Sequence, residues 1–168
     1  MGTLVTQTNL VYNENVRRNK EQQTMETTVN ERVNVLAEFL EVNADEIEES
    51  TYAYDDAYTY GNQEYLVLTD EEANDKVADE IRDTLWAFNA SFILENSKLD
   101  YVSDQVVRAL QKVLEELCED ANELVYALLD DFDDFVESAV ACDGRGHFIA
   151  RYDGYENELN GYYIYRVD

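Results

Sequence analysis

"EYLVLTDEEANDKVADEIRDTLWAF", Glu64 to Phe88, changes its hydrophobic period part-way along. Up to Leu68 it closes a stretch, "TYAYDDAYTYGNQEYLVL" (51 to 68), in which Tyr, Thr and Val alternate with polar residues around Asp55-Asp56 and Gly61-Asn62. Successive strand side chains point to opposite faces, so this alternation predicts a small antiparallel meander. At Thr69 the period becomes helical. Thr69 with Glu72 three residues on is a capping box, and Ala73, Val77, Ile81, Leu85, Phe88 and Phe92 then fall on one stripe. The opposite face of that helix carries Asp70, Glu71, Glu72, Asp75, Asp79, Glu80 and Asp83. Strands grouped apart from helices point to the α+β class.

The flanks extend the same reading. Thr28 and Glu31 form another capping box ahead of Val29, Val33, Leu36 and Leu40, which predicts a helix over 28–41, and "EVNADEIEES" after it is acidic and turn-like. From Ser103 an apolar stripe runs through Val106, Leu110, Val113, Leu117, Ala121, Leu124, Leu128, Phe132, Phe135 and Ala139, with no Gly before Gly144 and no Pro in the chain. The expectation is one long helix, or two broken near Glu119 to Asn122. "RGHFIARYDGYENELNGYYIYRV" alternates about Asp153-Gly154 and Asn160-Gly161 and reads as a C-terminal β-hairpin, with His147 the first residue of a strand. Residues 1–23 are polar and nearly neutral, an edge strand or a loose segment. Residues 24–168 are then a single α+β domain of three or four amphipathic helices, a small antiparallel sheet and that hairpin. A chain of 168 residues with thirteen Tyr suffices for one core.

Charge narrows the function. The 38 acidic and 12 basic residues leave a formal net charge of −26, far beyond the magnitude of roughly 2 to 8 that solubility asks of a small domain. The acidity is regional: residues 41–83 hold fifteen acids and two bases, residues 118–143 hold nine acids and no base, and the remainder nearly balances. Such a field repels nucleic acid and anionic membrane and attracts basic surfaces. Direct binding of DNA, RNA or membrane is therefore set aside, and the partner implied is a basic nucleic-acid-binding protein.

"LLDDFDDFVES", Leu128 to Ser138, concentrates the second acidic region. If the apolar stripe continues through it as helix, Asp130, Asp131, Asp133, Asp134 and Glu137 lie on an outer face, where like charges at i,i+3 and i,i+4 each cost about 0.2 to 0.5 kcal/mol. Neither this stretch nor "DDAYTYGNQE" has the alternating oxygens, central Gly and closing Glu of a calcium loop, so no metal or cofactor is expected. The candidate partner-binding residues are those five with Asp75, Asp79, Glu80, Asp83, Asp55 and Asp56. Rows of carboxylates on successive helix turns resemble in potential a duplex that carries one charge per about 1.7 Å of axis.

Catalysis has one foothold. "ACDGRGHFIARYDG" holds Cys142 and the only His, His147, and a Cys nucleophile with a His base is a known pairing. Against it, Asp143-Gly144 reads as a helix stop, and Gly146 and His147 as the entry to a strand. Trp86, Phe88 and Phe92 read as core, and Tyr52, Tyr54, Tyr58 and Tyr60 as alternating between core and surface. Cys118 and Cys142 match no metal-ligand pair or disulfide framework, and no basic leader or apolar span is present, so reduced thiols in a host-cell cytoplasm are expected.

"EYLVLTDEEANDKVADEIRDTLWAFNASFI", followed by "DGRGHFIARYDG" and a terminal "YYIYR", resembles small acidic proteins carried by bacteriophages and mobile elements, over roughly Glu64 to Asp168. In size and charge the chain is also similar to the DNA-mimic anti-defence proteins, the antirestriction and anti-CRISPR inhibitors. Inhibitors of that kind share no motif, so no functional residue carries over. The resemblance implies a non-enzymatic, phage-encoded inhibitor that occupies the basic DNA- or RNA-binding cleft of a host defence enzyme. A phage structural or scaffold protein for a basic partner is the alternative, ahead of a haloadapted domain or a small Cys/His enzyme, and a homodimer is left open.

Overall fold

The computed structural model describes Thr28, residues 31–50 and residues 57–168. Helix α1 occupies residues 31–40 and is followed by a 3₁₀ turn, Ala44–Glu46. Then come strands β1 (Glu48–Glu49), β2 (Ala57–Tyr60) and β3 (Gln63–Leu68). Helices α2 (Asp70–Asp83), α3 (Ala90–Glu95), α4 (Asp104–Leu117), α5 (Asn122–Leu128), α6 (Phe132–Asp143) and α7 (Arg145–Ile149) succeed one another before strands β4 (Asn157–Leu159) and β5 (Tyr162–Arg166). The five strands form one antiparallel sheet in the order β1-β2-β3-β5-β4. The fold is α+β, with the meander and the C-terminal hairpin joined through β3 and β5.

The sheet is covered on both faces, which is why β3 reads as an almost continuous apolar run. Leu66, Leu68, Ala57 and Tyr165 belong to a core shared with α2 to α7, while Tyr65, Val67, Tyr58 and Ile164 pack with Val35, Leu36 and Ala37 of α1. Register makes this alternation consistent across strands: Leu66 pairs with Tyr165 and Val67 with Ile164. The hairpin turns on Asn160 (φ 54°) and Gly161 (φ 80°), both left-handed, the pair of conformations a two-residue type I′ loop requires.

Several expected elements are broken differently. Thr28, read as a cap, is itself helical. The stripe from Ala73 to Phe92 is not one helix: α2 stops at Thr84, a 3₁₀ turn follows at Leu85–Ala87, and Asn89 caps α3 by accepting from Ser91 N at 2.9 Å. The long stripe after Ser103 breaks twice. One break is a 3₁₀ turn, Cys118–Ala121, at the expected place; the other, at Leu129, falls where the apolar stripe runs on unbroken. There the chain extends beside the end of α3, with Lys98 N donating to Leu128 O at 3.1 Å and Asp130 N to Asn96 O at 3.0 Å.

The stretch from Arg145 is also helical before it is a strand, so His147 lies in α7 and β4 starts only at Asn157. Gly146 is a packing glycine: a Cβ there would sit 2.5 Å from the carbonyl oxygen of Gly154. Of the two expected turns only Asn160-Gly161 closes a hairpin; Asp153-Gly154 lies in the link between α7 and β4.

A candidate acidic interaction face

Helix α2 starts as its sequence demands. Thr69 Oγ1 accepts from Glu72 N at 3.3 Å, and Glu72 Oε2 accepts from Thr69 N at 2.8 Å, so two otherwise unpaired helix-start donors are satisfied. Ala73, Val77 and Ile81 are buried, and the side of the helix beside them packs on α7.

The acids of α2 divide into two groups. Asp70 accepts from Arg145 Nη1 at 2.8 Å, Glu72 from Arg32 Nη2 at 2.6 Å, and Glu80 from Lys76 at 3.0 Å and Arg151 at 2.9 Å. Burial disfavours the charged forms of Glu72 and Glu80, but their hydrogen bonds outweigh it: Thr69 and Arg32 hold Glu72, and Lys76 and Arg151 hold Glu80, below the usual carboxylate range. Glu71, Asp75, Asp79 and Asp83 are exposed and make no side-chain ion pair with any described residue. They repeat every four residues, about 6 Å of helix rise apart. Glu80, expected among the binding residues, is therefore removed from them, since its side chain is only 14% exposed and twice paired.

Arg145 anchors the compensated side. Its guanidinium also bonds Glu156 Oε2 at 2.8 Å and Asn74 Oδ1 at 3.0 Å and lies 4.2 Å from the Tyr163 ring centroid. Burial opposes its charge, yet the bonds to Glu156 and Asp70 raise its pKa above the ordinary arginine value. Tyr165 donates to Glu156 at 2.5 Å, and its phenol is pushed up first by burial and then by that carboxylate.

The second acidic region adjoins the C-terminal end of α2. Asn122 Nδ2 donates to Asp83 O at 2.7 Å and its Oδ1 accepts from Trp86 N at 2.8 Å, fastening the start of α5 to the end of α2. Arg82 lies 4.3 Å over the Tyr126 ring and 5.9 Å from that of Phe132. Asp83 thus joins Glu119, Asp120 and Glu123, all exposed, in one acidic neighbourhood.

Within "LLDDFDDFVES" the outer-helix-face reading holds for Asp133, Asp134 and Glu137, exposed on α6, and is corrected for Asp130 and Asp131. Asp130 and Asp131 precede α6; Asp131 is its N-cap, accepting from Asp133 N at 2.8 Å and Asp134 N at 3.2 Å. Asp133 and Asp134 sit in the first turn, where the helix dipole favours negative charge by about 0.3 to 1 kcal/mol each. The supposed repulsive cost of this run is largely a helix-start signal. Glu137 is exposed on α6. Asp55 and Asp56, with Tyr52 and Tyr54, lie outside the described residues; Tyr58 is buried and Tyr60 half-buried.

One cavity of about 580 Å³ collects Cys142, Asp143 and His147 with Glu80 and Arg151 over a wall of Phe88, Phe92 and Phe148. Phe88 stacks on both Phe92 and Phe148 and meets buried Phe135 edge-on at 5.0 Å, so these rings are core reaching the surface. His147 packs edge-on against Phe148. Neither the Cys142 thiol nor the His147 imidazole hydrogen-bonds a described residue, whereas an activated nucleophile needs a base within about 3.2 Å. Among the described residues no group of three or more His, Cys, Asp or Glu is placed to hold a metal ion, and no helix is long and apolar enough to cross a membrane. No protein-family model, curated protein or solved structure matches the chain.

Proposed function

We propose that this protein is an acidic inhibitor of the anti-defence kind, without catalysis, that binds a basic nucleic-acid-binding host protein and occupies its DNA or RNA cleft. The observation that carries the reading is the sorting of charge. Arg32, Lys76, Arg145 and Arg151 all pair with the acids beside the core. Among the described residues, the exposed row Glu71, Asp75, Asp79 and Asp83 and the acids of Glu119–Glu137 make no side-chain ion pair. Carboxylates left without counter-cations act on a partner as phosphates do, through a field that salt screens. The contact residues on this reading are Asp75, Asp79 and Asp83 with Asp130, Asp131, Asp133, Asp134 and Glu137.

Reciprocal competition tests it. A partner captured from host lysate at low salt and eluted by salt is mixed with duplex DNA and with this protein in either order. Each ligand should block the other, because mutual exclusion is a coupling of binding free energies and acts equally in both directions. A ternary complex with unchanged DNA affinity contradicts the mimic reading. It favours the second reading, an assembly or scaffold protein for a basic partner, which the exposed apolar residues around α4 also support.

A further inference from the structure

The cavity where α2, α3, α6 and α7 meet is lined by none of the outward acids of α2. Its volume, about 580 Å³, lies within the roughly 300 to 1,000 Å³ of small-molecule sites. Phe88, Phe92 and Phe148 form its apolar wall, the Phe92 and Phe148 rings turned only 18° and 20° from the plane of Phe88. Phe135, fully buried, meets Phe88 and Phe92 edge-on at 5.0 and 5.2 Å. The wall is thus fixed by the core before any ligand arrives, which lowers the ordering cost of binding.

The lining favours positive charge. Its acids are Glu80 and Asp143 and its one base is Arg151. Arg151 bonds Glu80 at 2.9 Å, whereas the exposed Asp143 carboxylate makes no hydrogen bond or ion pair with a described residue. The formal charge left over is therefore that of Asp143. The last turns of two helices also line the cavity, Glu80 and Thr84 at the end of α2, and Ala139, Cys142 and Asp143 at the end of α6. A helix C-terminus carries partial negative charge that stabilises a nearby cation. The short helix α3 begins at the same place, but its Ser91 N–H is already taken up by Asn89. An anion would in addition have to approach a chain of net charge −26.

We propose that this cavity binds a small aromatic organic cation, its ring system against the phenylalanine wall and its charged nitrogen at Asp143. Aromatic rings attract a cation as well as covering its apolar body, and an N–H donated to Asp143 is a charge-assisted hydrogen bond that an anion of the same shape lacks. None of the carboxylates assigned to the basic partner lines this site, so it stands or falls apart from the function proposed above.

Fluorescence titration of the full chain at neutral pH and about 0.15 M salt tests this with two tricyclic probes, the cation 9-aminoacridine and the anion anthracene-9-carboxylate. The cation should saturate at about one molecule per chain and bind at least about tenfold tighter than the anion, as expected for a hydrogen bond between charged groups. Ala87→Trp, which fills the cavity from an exposed lining position, should weaken the cation about tenfold or more with an unchanged far-UV spectrum. Asp143→Asn should weaken it about threefold or more. The Asp75/Asp79/Asp83→Asn variant should bind it within about twofold of the parent, since those acids lie outside the cavity. Binding of neither probe, equal affinity for both, or parent-like cation binding by Ala87→Trp or Asp143→Asn overturns the proposal. So does a loss in the triple variant as large as that in Ala87→Trp, which would place the dye on the acidic face.

Discussion

The two sides of α2 hold the same kinds of residue in opposite employment. On the side that meets α7 and the start of α1, Asp70, Glu72 and Glu80 each accept from an arginine or lysine. On the side facing solvent, Glu71, Asp75, Asp79 and Asp83 have none among the described residues. What separates them is where the cations arrive from: Arg32, Arg145 and Arg151 reach α2 from distant parts of the chain and along its core edge. A net charge of −26 is thus two quantities, a paired part that holds helices together and an unpaired part that projects a field.

If that division is right, the paired side must be the one that stability depends on. Arg145→Ala should show this most strongly. It leaves Glu156 and Asp70 without their shared donor and removes the guanidinium from the Tyr163 ring, a loss of about 2 to 3 kcal/mol. Thermal denaturation should then fall by roughly 4 to 12 °C, at about 2 to 4 °C per kcal/mol. A midpoint within about a degree of the parent protein would place Arg145 among the surface pairs that contribute nothing.

Asp131 sharpens the comparison within the second acidic region, where one carboxylate caps a helix through hydrogen bonds and its neighbours do not. Asp131→Ala should cost about 1 kcal/mol of stability through loss of the α6 cap, and Asp131→Asn far less, because Asn caps equally well. Equal losses for the two variants would show that charge, not capping, is what matters there.

Glu80→Gln should destabilise by about 1 kcal/mol at neutral pH, and the effect has a defined pH window. The folded pKa of Glu80 is lowered, so its contribution is fully present above the ordinary carboxylate pKa and is lost as pH falls through the lower folded value. Melting curves of parent and variant should converge only once the pH has fallen through that lowered folded value. A gap that persists to lower pH would mean that the side chain's packing, rather than its charge, carries the effect.

The smallest expected change has the opposite sign. Converting Asp75, Asp79 and Asp83 together to Asn removes three i,i+4 repulsions, Glu71–Asp75, Asp75–Asp79 and Asp79–Asp83, each worth about 0.2 to 0.5 kcal/mol. Urea midpoints should stay level or rise slightly. A clear fall would show that the outward acids hold the fold after all.

Much of this was legible locally. The switch at Thr69 from alternation to helical period, the Thr69–Glu72 box and the Asn160-Gly161 turn are short-range signals, and each formed as read. The breaks at Thr84 and Leu129 were not read, because apolar residues continue in register across them. A signal existed in both places: Asn89 and Asp131 are side-chain caps standing before apolar residues. In "LLDDFDDFVES" the density of Asp drew attention to charge and away from the cap. The pairing of α2 acids was beyond local reading, since Arg145 lies 75 residues from Asp70 and Arg151 lies 71 from Glu80. Only the fold brings them together.

The most direct measurement is the affinity of the salt-eluted partner for three proteins by calorimetry at about 0.1 M salt: the parent chain, the Asp75/Asp79/Asp83→Asn variant and Glu80→Gln. The account predicts at least about a tenfold loss for the triple variant, with its fold intact, and near-parent affinity for Glu80→Gln despite its lower stability. Parent-like binding by the triple variant, or a loss confined to Glu80→Gln, would contradict the assignment of the outward carboxylates as the binding face.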